Sequence, residues 1–163
     1  MNTLMTRNAA HLQVTGPQAG CPQIACDVLI VEDDPAQAEE LACYLSRAGL
    51  SVQVRHCGSA AIHGVAEMRP RIALLDYNLP DLDGVTVAER IKRLSPDTSM
   101  LMMSGRIDGL AEPTLRKAGL YSFMNKPVRP SQLLSAMRRM ARTAQKTGRP
   151  ATVPYKFLGL TFG

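Results

Sequence analysis

Five short apolar runs divide the chain, and each is followed by residues recurring at helical spacing. The first run, Val28–Val31, is closed by Glu32, Asp33, Asp34 and Pro35. Asp34 is placed to cap a helix beginning at Pro35, where the missing proline donor costs nothing. Ala38, Leu41, Ala42 and Leu45 then form one apolar stripe, and Gly49 ends it. Residues 51–55 alternate, with Val52 and Val54 on one side, as an edge strand would. A weaker helix over about 59–68 is expected to bury Ile62, Val65 and Ala66, and Pro70 prevents its continuation.

Ile72, Ala73, Leu74 and Leu75 run without interruption into Asp76, the pattern of a strand buried on both faces. Val87, Ala88, Ile91 and Leu94 give a further helical face, and Ser95, Pro96 and Asp97 turn the chain. Residues 99–103 are a fourth run, ending at Ser104 and Gly105. The helix after it, up to Ala118, is interrupted by Gly109 and Pro113, and this segment is expected to be mobile. Residues 121–124 form a short fifth strand before Asn125, Lys126 and Pro127. Ser131 is expected to cap a last helix, with Leu133, Leu134, Met137, Met140 and Ala141 inward. The order is therefore (βα) five times. Right-handed crossovers make it a doubly wound α/β fold, with helices on both faces of a five-stranded parallel sheet.

Composition changes this picture little. At 163 residues with 45% hydrophobic content the chain fits one well-buried domain, and no apolar run approaches bilayer length. Residues 1–26 are polar and aperiodic and read as a flexible extension. Residues 27–143 make the domain, and 144–163 are a tail with no output domain. Without a secretory signal the expected location is the cytoplasm, with Cys21, Cys26, Cys43 and Cys57 as reduced thiols. Cys21 and Cys26 beside His11 match no zinc spacing, and Cys43 reads as a small buried apolar residue. Charge is more informative. All 14 acidic residues lie at or before Glu112, whereas ten basic residues and no acid follow it. A basic C-terminal helix suits an acidic protein partner. Arg138, Arg139, Arg142 and Lys146 could instead meet nucleic acid, although no nucleic-acid motif accompanies them.

In open parallel sheets, sites lie beyond the carboxyl ends of the strands. Glu32, Asp33, Asp76, Ser104 and Lys126 each follow a strand and would share one sheet edge. Two carboxylates about 4 Å apart repel by roughly 4 kcal/mol at an effective dielectric near 20. One lysine does not balance three of them, so a hard divalent cation such as Mg²⁺ is the expected cofactor. Asp76 would then be an ionised oxygen nucleophile suited to attack on phosphorus.

The segments VLIVEDDP, IALLDYNLPDLDG, LMMSGR and FMNKP together resemble the receiver domain of two-component response regulators. That resemblance implies a CheY-like, flavodoxin-type strand order 2-1-3-4-5 and a phosphoacceptor role for Asp76. The donor would be a histidine kinase or histidine phosphotransfer protein. Asp33 would bind Mg²⁺ directly, Glu32 would help, and Asn78 would offer its backbone carbonyl. Ser104 and Lys126 would contact the phosphoryl group, Phe123 would be the aromatic switch partnered by Ser104, and Lys126–Pro127 would be a cis peptide. Output would pass to an unidentified downstream protein through the fourth helix, fifth strand and last helix. A second copy of the chain is a further candidate partner.

Departures from the family pattern are small: Glu32 for the commoner Asp, Ser104 for the frequent Thr, and Phe123 for Tyr. A phosphohydrolase of the haloacid dehalogenase type is the main rival. It needs a second acid two residues after its nucleophile, where this chain has Asn78. The expectation is thus a phosphoacceptor and not a turnover enzyme. The complete acidic set argues against a degenerate receiver that takes no phosphoryl group.

Overall fold

The computed structural model describes residues 26–105 and 112–146, of which 112, 114, 115 and 141–146 are described by their backbone alone. Strands and helices alternate along the chain: β1 (Val28–Val31), α1 (Pro35–Arg47), β2 (Val52–Arg55), α2 (Gly58–Met68) and β3 (Ile72–Asp76). They continue with α3 (Gly84–Leu94), β4 (Ser99–Ser104), α4 (Glu112–Lys117), β5 (Leu120–Asn125) and α5 (Pro130–Lys146). The strands form one parallel sheet in the order β2-β1-β3-β4-β5, as expected. Extensions 1–25 and 147–163, residues 106–111 of the segment up to Ala118 expected to be mobile, and the candidate ligands His11 and Cys21 lie outside the described residues.

Strand alternation sends side chains to two cores. Leu29, Val31, Ala73 and Leu75 pack with Val65, Val87 and Ile91 of α2 and α3. Val28, Ile30, Ile72 and Leu74 pack with Leu41, Leu45, Leu133 and Met137 of α1 and α5. Every residue of β1 and β3 is buried, which explains the apolar sequence of β1 and of β3 up to Asp76. β2 is an edge strand of intermediate burial throughout. The other edge, β5, carries a register shift: Met100 pairs with Leu120 but Leu101 pairs with Ser122, so Tyr121 is an extra residue.

Asp34 caps α1 as the sequence suggests, accepting hydrogen bonds from Ala36 N (2.9 Å) and Gln37 N (3.3 Å). Several side-chain expectations are corrected. The buried face of α2 is Ala61, Val65 and Met68; Ile62 is partly buried and Ala66 exposed. Leu94 closes α3 and is 50% exposed. Cys43 lies on the solvent side of α1, flanked by half-buried Ala42 and Tyr44, and is exposed. α5 starts at Pro130, a favourable first position, so Ser131 lies within the first turn instead of capping it. Ala141 belongs to α5, but its side chain lies outside the described residues.

Candidate metal and phosphoryl site

Strand register assembles the site. Val31 of β1 pairs with Leu75 of β3, which brings Glu32 and Asp76 side by side at the carboxyl edge. Asp76 pairs with Met103 of β4, and Ser104 pairs with Asn125 of β5. Lys126 follows one residue later, its N–H donating to Ser104 O (2.8 Å), and its bond to Pro127 is cis. Four separate strand ends thus deliver Glu32, Asp76, Ser104 and Lys126 to one place. Asp33, one residue past Glu32, completes the acidic cluster.

Glu32, Asp76 and Ser104 are buried, whereas Asp33 is exposed. Lys126 Nζ donates to Asp76 Oδ2 (2.7 Å) and Glu32 Oε1 (2.9 Å). The same nitrogen lies 2.7 Å from Glu32 Oε2, but its hydrogen-bond direction favours Oε1. Glu32 Oε2 is left buried and without a hydrogen bond. Burial and the neighbouring Asp76 charge push the Glu32 carboxyl above its usual range, against the pull of Lys126. Burial works against the Lys126 ammonium, but hydrogen bonds and attraction from Asp76 and Glu32 outweigh it and raise its pKa. The site is an electrostatic compromise. One cation is shared between two buried acids, with a third acid open to solvent.

Oxygen atoms of Glu32, Asp33 and Asp76 lie within 4.8 Å of one another, the one such acidic trio among the described residues. All are hard oxygen donors, and one is buried without a hydrogen bond. This donor set is compatible with a divalent cation.

The loop after β3 shapes the other wall. Asn78 N donates to Asp76 Oδ1 (3.2 Å), holding the carboxylate from behind. Gly84 N donates to Tyr77 O (2.8 Å), and a Cβ at Gly84 would lie 2.5 Å from Asp76 O, so the turn closes only on glycine. Asp83 caps α3 by accepting Thr86 N (2.9 Å). Asp81, to which sequence reasoning gave no role, accepts Gly58 N and Ser59 N (2.8 Å each) at the start of α2. The Ser59 backbone N–H and hydroxyl, together with Gly58 N–H, hold its carboxyl down at about 2. Beside the site, Glu32, Gln37, Lys126, Val128 and Arg129 help to line a cleft of about 280 Å³ between α1 and the β5–α5 connection. Phe123 stands apart on β5, 40% exposed next to Tyr121 at 43%.

Comparison with known proteins agrees with this layout. Residues 28–138 match the family model of the response regulator receiver domain. The response regulator MprA of Mycobacterium bovis is 31% identical over 135 residues, which cover 82% of this chain and 58% of the relative. The DNA-binding response regulator MtrA of Mycolicibacterium smegmatis is 32% identical over 124 residues, 76% of this chain and 53% of that protein. The chain therefore spans little more than half the length of these relatives. A CheY-like receiver domain from Methanospirillum hungatei superposes with a TM-score of 0.71 at 25% identity, covering 76% of this chain and 99% of its own. A Burkholderia pseudomallei response regulator, solved with a phosphorylated aspartic acid, calcium ion and citrate, shares the fold. Its TM-score is 0.66 at 22% identity, covering 76% of this chain and 72% of that one. Fold, site and relatives converge: the chain belongs to the receiver-domain family of two-component response regulators.

Proposed function

We propose that this receiver accepts a phosphoryl group on Asp76 from a phosphohistidine of a histidine kinase or phosphotransfer protein in the cytoplasm. The observation that carries this reading is the junction of Asp76 Oδ2 with Lys126 Nζ at 2.7 Å, beside the Glu32–Asp33 pair. Glu32, Asp33, Asp76 and the Asn78 carbonyl are the groups that would hold Mg²⁺. When bound, that ion supplies charge neutralisation and polarises the phosphoryl oxygens. The Burkholderia protein's phosphorylated aspartic acid and calcium ion support the same chemistry here.

Asp76 supplies the attacking oxygen: its O–P bond forms as the donor's N–P bond breaks, and the electron pair leaves with the imidazole. Asn78 N–H fixes one carboxylate oxygen so that the other can attack. The transfer turns a charge of −1 into about −2 with added acceptor oxygens. Lys126 then exchanges its carboxylate contact for a phosphoryl oxygen, and the Ser104 hydroxyl donates to another. Both movements draw the ends of β4 and β5 toward Asp76, and Phe123 follows inward from its exposed position. Output passes by protein contact across α4, β5 and α5, whose basic side chains suit an acidic partner face. The chemistry is confined to gaining and losing this phosphoryl group. Asn78, in place of a second acid, leaves no general acid two residues after the nucleophile.

Incubation with acetyl phosphate and Mg²⁺ tests the reading. Intact mass should rise by one phosphoryl group in the wild type and not in Asp76→Asn. Equal labelling of the two proteins would refute it.

A further inference from the structure

The start of α2 lacks a cap of its own: Cys57 precedes the helix and makes no side-chain capping bond. Its first amides, Gly58 N and Ser59 N, are satisfied instead by the two oxygens of Asp81, which lies in the β3–α3 loop more than twenty residues away. That loop is a narrow turn. An isolated antiparallel bridge joins Asn78 to Asp83, and Asp81 lies between them. The base of the turn carries the groups nearest the chemistry, Asn78 N on Asp76 Oδ1 and Gly84 N on Tyr77 O. Asp83 fixes the outgoing end to α3. Leu79 and Leu82 pack partly against the core below, but apolar contact has no direction and tolerates sliding. Charge-assisted hydrogen bonds to two successive amides do not. The approach is close: a Cβ at Gly58 would lie 2.5 Å from Val87 Cγ2 and 3.3 Å from Asp81 Oδ1.

We propose that Asp81 is a positioning residue for the phosphoacceptor site. Its carboxylate ties the β3–α3 turn to the first turn of α2 and so holds Asn78 against Asp76. The proposal rests on the phosphoacceptor reading above and adds a residue outside its acidic cluster. With the tether cut, the turn rocks on its base, and the Asn78 backbone no longer presents a fixed amide to Asp76 or a fixed carbonyl to a cation.

The test uses the full chain as wild type, Asp81→Ala, Asp81→Asn and a control, Asp27→Ala. Asp27 lies at the opposite end of β1 and also accepts two hydrogen bonds, from Ser51 N and Oγ (2.9 Å each). Amide hydrogen exchange of residues 77–84 is measured on metal-free protein, and Mg²⁺ affinity by calorimetry. Asp81→Ala should speed exchange in 77–84 and weaken Mg²⁺ binding about tenfold, the scale seen for groups that orient metal ligands. Asp81→Asn, keeping one acceptor oxygen, should fall between, and it carries the test if Asp81→Ala does not fold. Asp27→Ala should lower the melting temperature while leaving both readouts at wild-type values. Wild-type exchange and affinity in both Asp81 variants would overturn the proposal, as would an Asp27→Ala effect equal to that of Asp81→Ala. A wild type that takes neither Mg²⁺ nor a phosphoryl group from acetyl phosphate would instead overturn the phosphoacceptor reading itself.

Discussion

Gly84 opens α3 and Gly105 directly follows β4 at the same edge of the sheet, and their surroundings make opposite demands. A Cβ on Gly84 would press on backbone, 2.5 Å from Asp76 O and 2.8 Å from Tyr77 Cα, whereas one on Gly105 meets nothing within 4 Å among the described residues. Backbone cannot swing aside as a side chain can. Gly84→Ala should therefore cost about 1–3 kcal/mol in urea unfolding and slow labelling of Asp76, while Gly105→Ala changes neither appreciably. At this scale the acidic residues, Ser104 and Lys126 were legible because each lies within two residues of the end of an apolar run. Asp81 was not, since its partners come from the first turn of α2 and no spacing in the chain records that pairing. Cys43 was misjudged because its type favours burial, whereas its position on α1 is decided by the stripe of Ala38, Leu41 and Leu45.

Among the elements, α2 shows where periodicity reaches its limit. The stripe Ile62, Val65, Ala66 and the observed face Ala61, Val65, Met68 differ by a rotation of roughly one residue. Gly58 shares the observed face, and a Cβ there would lie 2.5 Å from Val87 Cγ2, so this face packs against α3 in a tertiary contact that no stripe records. The other end of α2 holds a residue in an unfavourable conformation. Arg69 caps it with φ 41°, left-handed, where glycine is at ease and other residues are strained. Arg69→Gly should raise stability by about 0.5–1 kcal/mol, read as a higher urea midpoint at unchanged slope. A lower midpoint would show that the Arg69 side chain contributes more than its backbone costs.

For the molecule as a whole, the acidic cluster links stability to pH and to metal. The Glu32 carboxyl is raised, so folded protein retains a proton there that unfolded protein has lost. This contribution is fully present below the ordinary carboxylate pKa and disappears as pH rises through the folded value. Lys126 is raised as well, and its contribution persists until strongly alkaline pH. A divalent cation competes with the Glu32 proton. Millimolar Mg²⁺ should therefore raise the melting temperature more at pH 7.5 than at pH 5, by about 1.4 kcal/mol of stability for each tenfold difference in affinity. An equal increment at both pH values would show that Glu32 takes no part in binding. The alternation of strands and helices was readable at this scale from the apolar β1, the apolar run of β3 before Asp76 and the alternating β2, whereas the order 2-1-3-4-5 came with the family resemblance. The slip between β4 and β5 was not readable, since an extra residue leaves no mark on so short a run.

That slip has a consequence for how this receiver can meet other chains. An exposed edge invites a neighbour to continue the sheet through main-chain bonding, which is indifferent to sequence and a route to aggregates. Here one border is a strand of only four residues, and the other is thrown out of step at Tyr121. Neither offers a straight template. Recognition at the β5 border is thereby left to side chains such as Tyr121 and Phe123, where a choice between partners can be written.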